Sequence, residues 1–166
     1  AGLLFATSGV YGRNLQRWVG PLLKARGFST VSLLSSNPAA DHDVGRHVLS
    51  PFEWWAVIRE LDFLVTERTH PTIAAIQGGT PFLNVDLTAL MHGAAHSKSY
   101  ELLTDFGLAD GGLFRPRDFD ETRVRESLAR AIERPWDWAA IAARADDLRA
   151  QGREAIARMG DVLRDR

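Results

Sequence analysis

Apolar positions along the chain alternate between two regimes, short continuous runs and stripes spaced by three or four residues. Leu3 to Thr7 is an apolar run that meets Ser8-Gly9, the pattern of a buried strand closed by a turn. Leu15, Trp18, Val19, Leu22 and Leu23 then recur at helical spacing, and Gly27 ends the stripe. Ser29 to Leu34 is apolar and β-branched, and Ser35-Ser36-Asn37-Pro38 closes it as a loop. After a polar stretch from Ala39 to Gly45, Arg46 to Leu49 reads as a third, short strand. Ser50-Pro51-Phe52-Glu53 is a capping box with proline at the first helical position, so a helix is expected over Pro51 to Leu61. Phe63 to Thr66 is a strand and Glu67 to Pro71 the turn leaving it. Thr72 to Gln77 is a short helix stopped by Gly78-Gly79, and Phe82 to Val85 is another strand. Ser97 to Phe106 is helical with Gly107 as its stop, and two helices follow, over Asp120 to Glu133 and Trp136 to Leu163.

Strands alternating with helices across short loops predict a Rossmann-like, three-layer α/β domain whose sheet is mostly parallel, followed by C-terminal helices. The expected division is 1–118 for that domain and 119–166 for the helices. In such sheets ligands bind outside the carboxyl ends of the strands. Those ends are Thr7-Ser8-Gly9, Ser35-Ser36-Asn37, Glu67-Arg68-Thr69-His70 and Asp86-Leu87.

Composition narrows the chemistry. The 166 residues are 45% hydrophobic and 25% charged, with a formal net charge of −1, which argues against disorder and against a strongly basic nucleic-acid binder. There is no cysteine, which excludes a disulfide framework and a thiolate nucleophile. No apolar run approaches the ~18 residues that span a bilayer, and the start lacks a basic region, so no signal peptide is expected. A cytoplasmic location is expected. The chain opens at Ala1 and reads as a piece of a longer protein. Lys24 and Lys98 are its only lysines among twenty basic residues, and the arginine excess reduces the weight of any single Arg.

Glu67-Arg68-Thr69-His70 carries most information. A strand delivers a guanidinium and an imidazole into one turn before a helix. If the extended conformation continues, the Arg68 and His70 side chains project to the same side. The Arg fork suits a carboxylate or phosphate, the imidazole titrates near neutral pH, and the amides opening the next helix favour an anion. Pro71 is expected to hold His70 extended. Ser8-Gly9 with Arg13 forms a second possible anion site, without the G-x-G-x-x-G pattern of dinucleotide binding. His92 and His96 are four apart, but with no H-E-x-x-H pattern a metal is not expected. Trp54-Trp55 and Trp136-Asp137-Trp138 are read as core packing rather than carbohydrate platforms.

Taken in order, Ser50-Pro51-Phe52-Glu53-Trp54, the run from Leu61 to His70, Gly79-Thr80-Pro81-Phe82, Lys98 and Phe106-Gly107-Leu108 resemble the C-terminal half of the polysaccharide pyruvyl transferase family. The resemblance covers about Gly2 to Leu108. It implies a two-domain, glycosyltransferase-like enzyme of which this chain is the second half, with an N-terminal domain preceding it. The implied reaction moves a pyruvyl group from phosphoenolpyruvate onto two hydroxyls of a saccharide as a cyclic ketal. By position, Arg68 would hold the donor's carboxylate or phosphate, His70 would be the acid/base, and Lys98 would be a supporting cation. Ser8, Gly9 and Arg13 would line the donor side. No metal or organic cofactor is required. Two other readings fit the same pattern: a sugar-nucleotide glycosyltransferase or epimerase, and a non-catalytic interaction domain docking through its long helix.

Overall fold

The structure is a computed structural model that describes residues 2–4, 10–33, 40–44, 47, 49–93, 97–116, 118 and 120–164. Its elements in chain order are β1 (Gly2–Leu4), α1 (Val10–Lys24), β2 (Val31–Ser32), β3 (His42–Asp43), α2 (Pro51–Arg59), β4 (Leu64–Thr66) and α3 (Thr69–Gly78). Then come β5 (Phe82–Val85), α4 (Thr88–His92), α5 (Lys98–Asp105), α6 (Ala109–Gly112), β6 (Leu113–Phe114), α7 (Glu121–Glu133) and α8 (Trp138–Arg164). The strands form one sheet in the order β3-β2-β1-β4-β5-β6, and every pairing is parallel. This is a Rossmann-like α/β fold. The chain leaves β1 toward one edge and returns beside it as β4, so the order reverses between β1 and β4. That reversal opens a crevice at the carboxyl ends of these two strands.

Alternation along the strands explains the layers. Val65, Leu83 and Val85 point to one face, where they join Leu15, Val19 and Leu23 of α1 and Val124, Leu128 and Ala131 of α7 in the main core. On the other face Asn84 meets Thr72 of α3, and the Thr80 hydroxyl donates to the Ile58 carbonyl of α2 at 2.9 Å. Sheet residues Leu64, Val65, Phe82 and Leu83 are all but inaccessible, as a parallel sheet covered on both faces requires.

By contacts the chain divides into two compact units, residues 1–135 and 136–166. Within the first unit α7 is amphipathic, and its Val124, Leu128 and Ala131 are fully buried in the core. In the second unit Asp137 caps α8, accepting from the Ala140 amide at 3.0 Å, and the Trp136 and Trp138 rings stack with centroids 5.3 Å apart.

The third strand lies four residues earlier than the expected Arg46 to Leu49; Arg46 and Val48 fall outside the described residues. A long-range clamp fixes it. The Thr30 amide and hydroxyl both donate to the Asp41 carboxylate at 2.8 Å, and the Lys24 ammonium reaches the same carboxylate at 2.8 Å. These donors, Lys24 foremost, hold the Asp41 carboxyl well below the usual carboxylate range. Two short elements, α6 and β6, carry no sequence signal. β6 exists through its pairing with β5, where Asn84 faces Leu113 and Val85 faces Phe114.

Candidate functional site

Pro51 opens α2 and Thr69 opens α3, and both helix starts lie at the carboxyl edge of the sheet because each helix runs back antiparallel to the strands. The capping box is present in full: the Glu53 amide donates to Ser50 Oγ at 3.3 Å and the Ser50 amide to Glu53 Oε2 at 2.7 Å. Those two bonds hold the Glu53 carboxyl below its usual range.

Arg68 is the residue before α3, extended at φ −108° and ψ 142°. Its backbone is held on both sides. Its amide donates to Thr66 Oγ1 at 3.0 Å, and its carbonyl accepts from Thr72 Oγ1 at 2.9 Å and Asn84 Nδ2 at 3.3 Å. Asn84 also donates to Thr72 Oγ1 at 2.8 Å, and its own Oδ1 is buried with no hydrogen-bond partner among the described residues. A fixed main chain thus presents a side chain that is 55% exposed. The Arg68 Nε lies 3.9 Å from Glu67 Oε1, too long for a hydrogen bond. Among the described residues no side-chain hydrogen bond engages the guanidinium, and the adjacent carboxylate balances part of its charge.

The extended run expected through His70 does not occur. α3 begins at Thr69, so His70 and Pro71 lie in its first turn. Pro71 is accommodated there because the first amides of a helix have no intrahelical acceptor, and Pro71 is buried against the groove. The expectation that Pro71 holds His70 extended is corrected in the same way. Even so, Arg68 and His70 line one hollow of about 440 Å³ between the starts of α2 and α3, together with Leu49, Trp54, Trp55 and Ile58. Both side chains are solvent-accessible.

Lys98 is the first residue of α5 and is exposed. It does not line the hollow. Its neighbour Ser99 shares a 2.9 Å hydrogen bond with Thr69 Oγ1, which ties the start of α5 to the start of α3. Ser8 and Gly9 lie outside the described residues, as does His96. Arg13 lies in α1, and nothing is described of its side chain.

Sequence reasoning missed two features. Trp54 and Trp55, expected to be core residues, are half-buried walls of the hollow; Ile58 is the fully buried residue of that helix. The available signal was the capping box itself, since first-turn residues of a helix that follows a parallel strand stand at the ligand edge. The second feature is the set of bonds made by Asp86, which the sequence named only as a strand end; it lies at the end of β5 and is 3% exposed. It accepts from Ser97 Oγ at 2.6 Å, from the Thr88 amide at 3.0 Å and from Arg115 Nε at 3.0 Å. Arg115 in turn stacks over the Tyr100 ring at 4.2 Å. Burial pushes the Asp86 carboxyl up, but the Ser97, Thr88 and Arg115 contacts together prevail and lower it.

The segment from Ser29 to Leu87 thus contains the capping box, the Arg68 turn and the strand that holds it. Residues 29–87 match the family model of polysaccharide pyruvyl transferase. The resemblance seen in the motifs is therefore shown over the stretch that builds the hollow. Among solved structures, the crystal structure of the glycotransferase of kitacinnamycin is similar in fold, with a TM-score of 0.55 at 15% sequence identity. That similarity covers 95% of this chain and 42% of the glycotransferase chain, so the present chain spans less than half of that protein's length. Among curated proteins none matches. No helix among the described residues is long and apolar enough to cross a membrane.

Proposed function

We propose that the chain is the donor-binding half of an enzyme that transfers a pyruvyl group from phosphoenolpyruvate to a saccharide. One observation carries this reading: Arg68 and His70 line a single hollow at the sheet's carboxyl edge, inside the family-matched segment. Phosphoenolpyruvate needs cationic donors for its carboxylate and phosphate, and the Arg68 fork supplies a pair. The α3 start adds amides that favour negative charge. His70 gives a proton to the donor's methylene carbon, which leaves positive charge at C2. One acceptor hydroxyl adds there and its proton restores the imidazolium. Phosphate departs, the second hydroxyl closes the ketal ring, and its proton leaves with phosphate. Lys98, across the Thr69–Ser99 bond, adds positive charge to the rim, and Ser8, Gly9 and Arg13 line the donor side. The preceding half of the protein, on this reading an N-terminal domain, closes the cleft. A single positioned acid/base contributes ~10²–10⁴-fold.

The test is a titration of the chain and of an Arg68→Ala variant with phosphoenolpyruvate and with uridine diphosphate. Charge-assisted hydrogen bonds contribute ~1.5–3 kcal/mol, and half-exposure places Arg68 at the low end, so the variant should bind phosphoenolpyruvate about tenfold more weakly. Nucleotide-only binding would move the assignment to a sugar-nucleotide enzyme.

A further inference from the structure

The first turns of α2 carry three aromatic side chains at the ligand edge of the sheet. Phe52 is 88% exposed, and Trp54 and Trp55 are half-buried. Trp55 separates two hollows. One, of about 440 Å³, holds Arg68 and His70. The other, of about 460 Å³, is lined by Pro51, Phe52, Trp55, Ala56 and Arg59. None of the three aromatics belongs to the main core.

We propose that this aromatic ledge is the acceptor subsite, and that a pyranose ring lies with its C–H face on the Trp55 indole and its hydroxyl edge toward His70. The inference rests on the reading of Arg68 and His70 as the donor corner. A three-carbon donor held there leaves most of the first hollow unfilled. Both acceptor hydroxyls must reach the donor's C2, so the acceptor has to share that hollow, and its remaining walls are aromatic and aliphatic. A pyranose has an apolar face and a polar rim. A flat indole buries the face without requiring hydrogen bonds, while a large rigid ring gives much contact area at low entropic cost. Arg59, in the second hollow, offers donors to the hydroxyl rim, while Arg68 is engaged by the donor. Two hollows meeting at Trp55 suit a saccharide of more than one ring. An alkyl chain would have no use for flat walls bracketed by guanidinium groups.

The experiment is saturation-transfer NMR on the 166-residue chain with phosphoenolpyruvate present. The probes are methyl β-D-galactopyranoside, methyl β-D-mannopyranoside and octyl β-D-glucopyranoside. Two variants separate shape from apolarity: Trp55→Tyr keeps a flat face, and Trp55→Leu keeps apolar volume without one. Circular dichroism checks that each is folded. Ring C–H signals from a methyl glycoside should persist in Trp55→Tyr and weaken at least about tenfold in affinity in Trp55→Leu, while phosphoenolpyruvate binding stays unchanged in both. Equal saccharide binding in the two variants, or binding that depends on the octyl chain, overturns the subsite. So does absence of any saccharide signal from a chain whose phosphoenolpyruvate binding is lost in Arg68→Ala, an outcome that leaves the donor assignment standing. Absence of phosphoenolpyruvate binding removes the donor corner and the subsite with it.

Discussion

Replacing Asp86 by alanine should destabilise the chain more than any change at the ligand rim. Its carboxylate accepts from a hydroxyl, an amide and a guanidinium, and thereby joins the end of β5 to the start of α5 and to the end of β6. The Asp86 side chain is 2% exposed and that of Arg115 24% exposed. Removing one partner of a buried ion pair costs ~3–5 kcal/mol. Arg115 keeps some contact with water and its stacking on Tyr100, which argues for the lower end, about 3 kcal/mol. Asp86→Asn keeps one acceptor oxygen where Asp86 uses both, Oδ1 for the Thr88 amide and Oδ2 for Ser97, and it loses the charge, so it should cost somewhat less than Asp86→Ala. Urea denaturation at neutral pH measures both. The acid limb adds a second reading. A carboxyl whose folded pKa is depressed stabilises the fold above its unfolded pKa, near 3.9, and that stabilisation is lost as pH falls through the folded pKa. Stability of Asp86→Asn should therefore fall less steeply than that of the parent chain below about pH 4. A loss under about 1 kcal/mol in Asp86→Ala, or parallel acid limbs, would refute the account of Asp86 as a charged tie.

Two further outcomes follow from the same geometry. In the full-length protein, His70→Ala should lower turnover by ~10²-fold or more while donor affinity changes little; near-normal turnover would end its acid/base assignment. Ser50→Ala should cost about 1 kcal/mol in urea denaturation by removing one arm of the capping box, and the Glu53→Gln variant, which keeps the reciprocal bond, should cost less.

What was legible in the chain was what is local. The α2 start is specified within four residues, Ser50 to Glu53, each bond linking neighbours in sequence. β5 lies over Phe82 to Val85 as its apolar run requires, and Gly79 ends α3 at φ 75°, a conformation that favours glycine. Asp120 caps α7 through the Arg123 amide at 3.0 Å, again a bond between near neighbours. The alternation of runs and stripes was sufficient for the α/β class, and it placed the Arg68-to-His70 cluster at the end of β4, where it lies.

Only the folded chain decided the rest, because the deciding contacts join residues far apart in sequence. β3 sits at His42–Asp43 because Thr30 and Lys24 grip Asp41, and no window around residue 42 encodes that grip. β6 has two residues and no pattern of its own; its strand character comes from β5. The strand order, and with it the crevice between β1 and β4, depends on which edges pair. Arg68 is aimed by Thr66, Thr72 and Asn84, and the last of these reaches it across sixteen positions of sequence. Spacing could bring a guanidinium and an imidazole to one turn, but the indoles facing them arrived by the packing of α2 against α3. Hydrophobic period fixes which side of an element is buried; it does not fix what the remaining side will face.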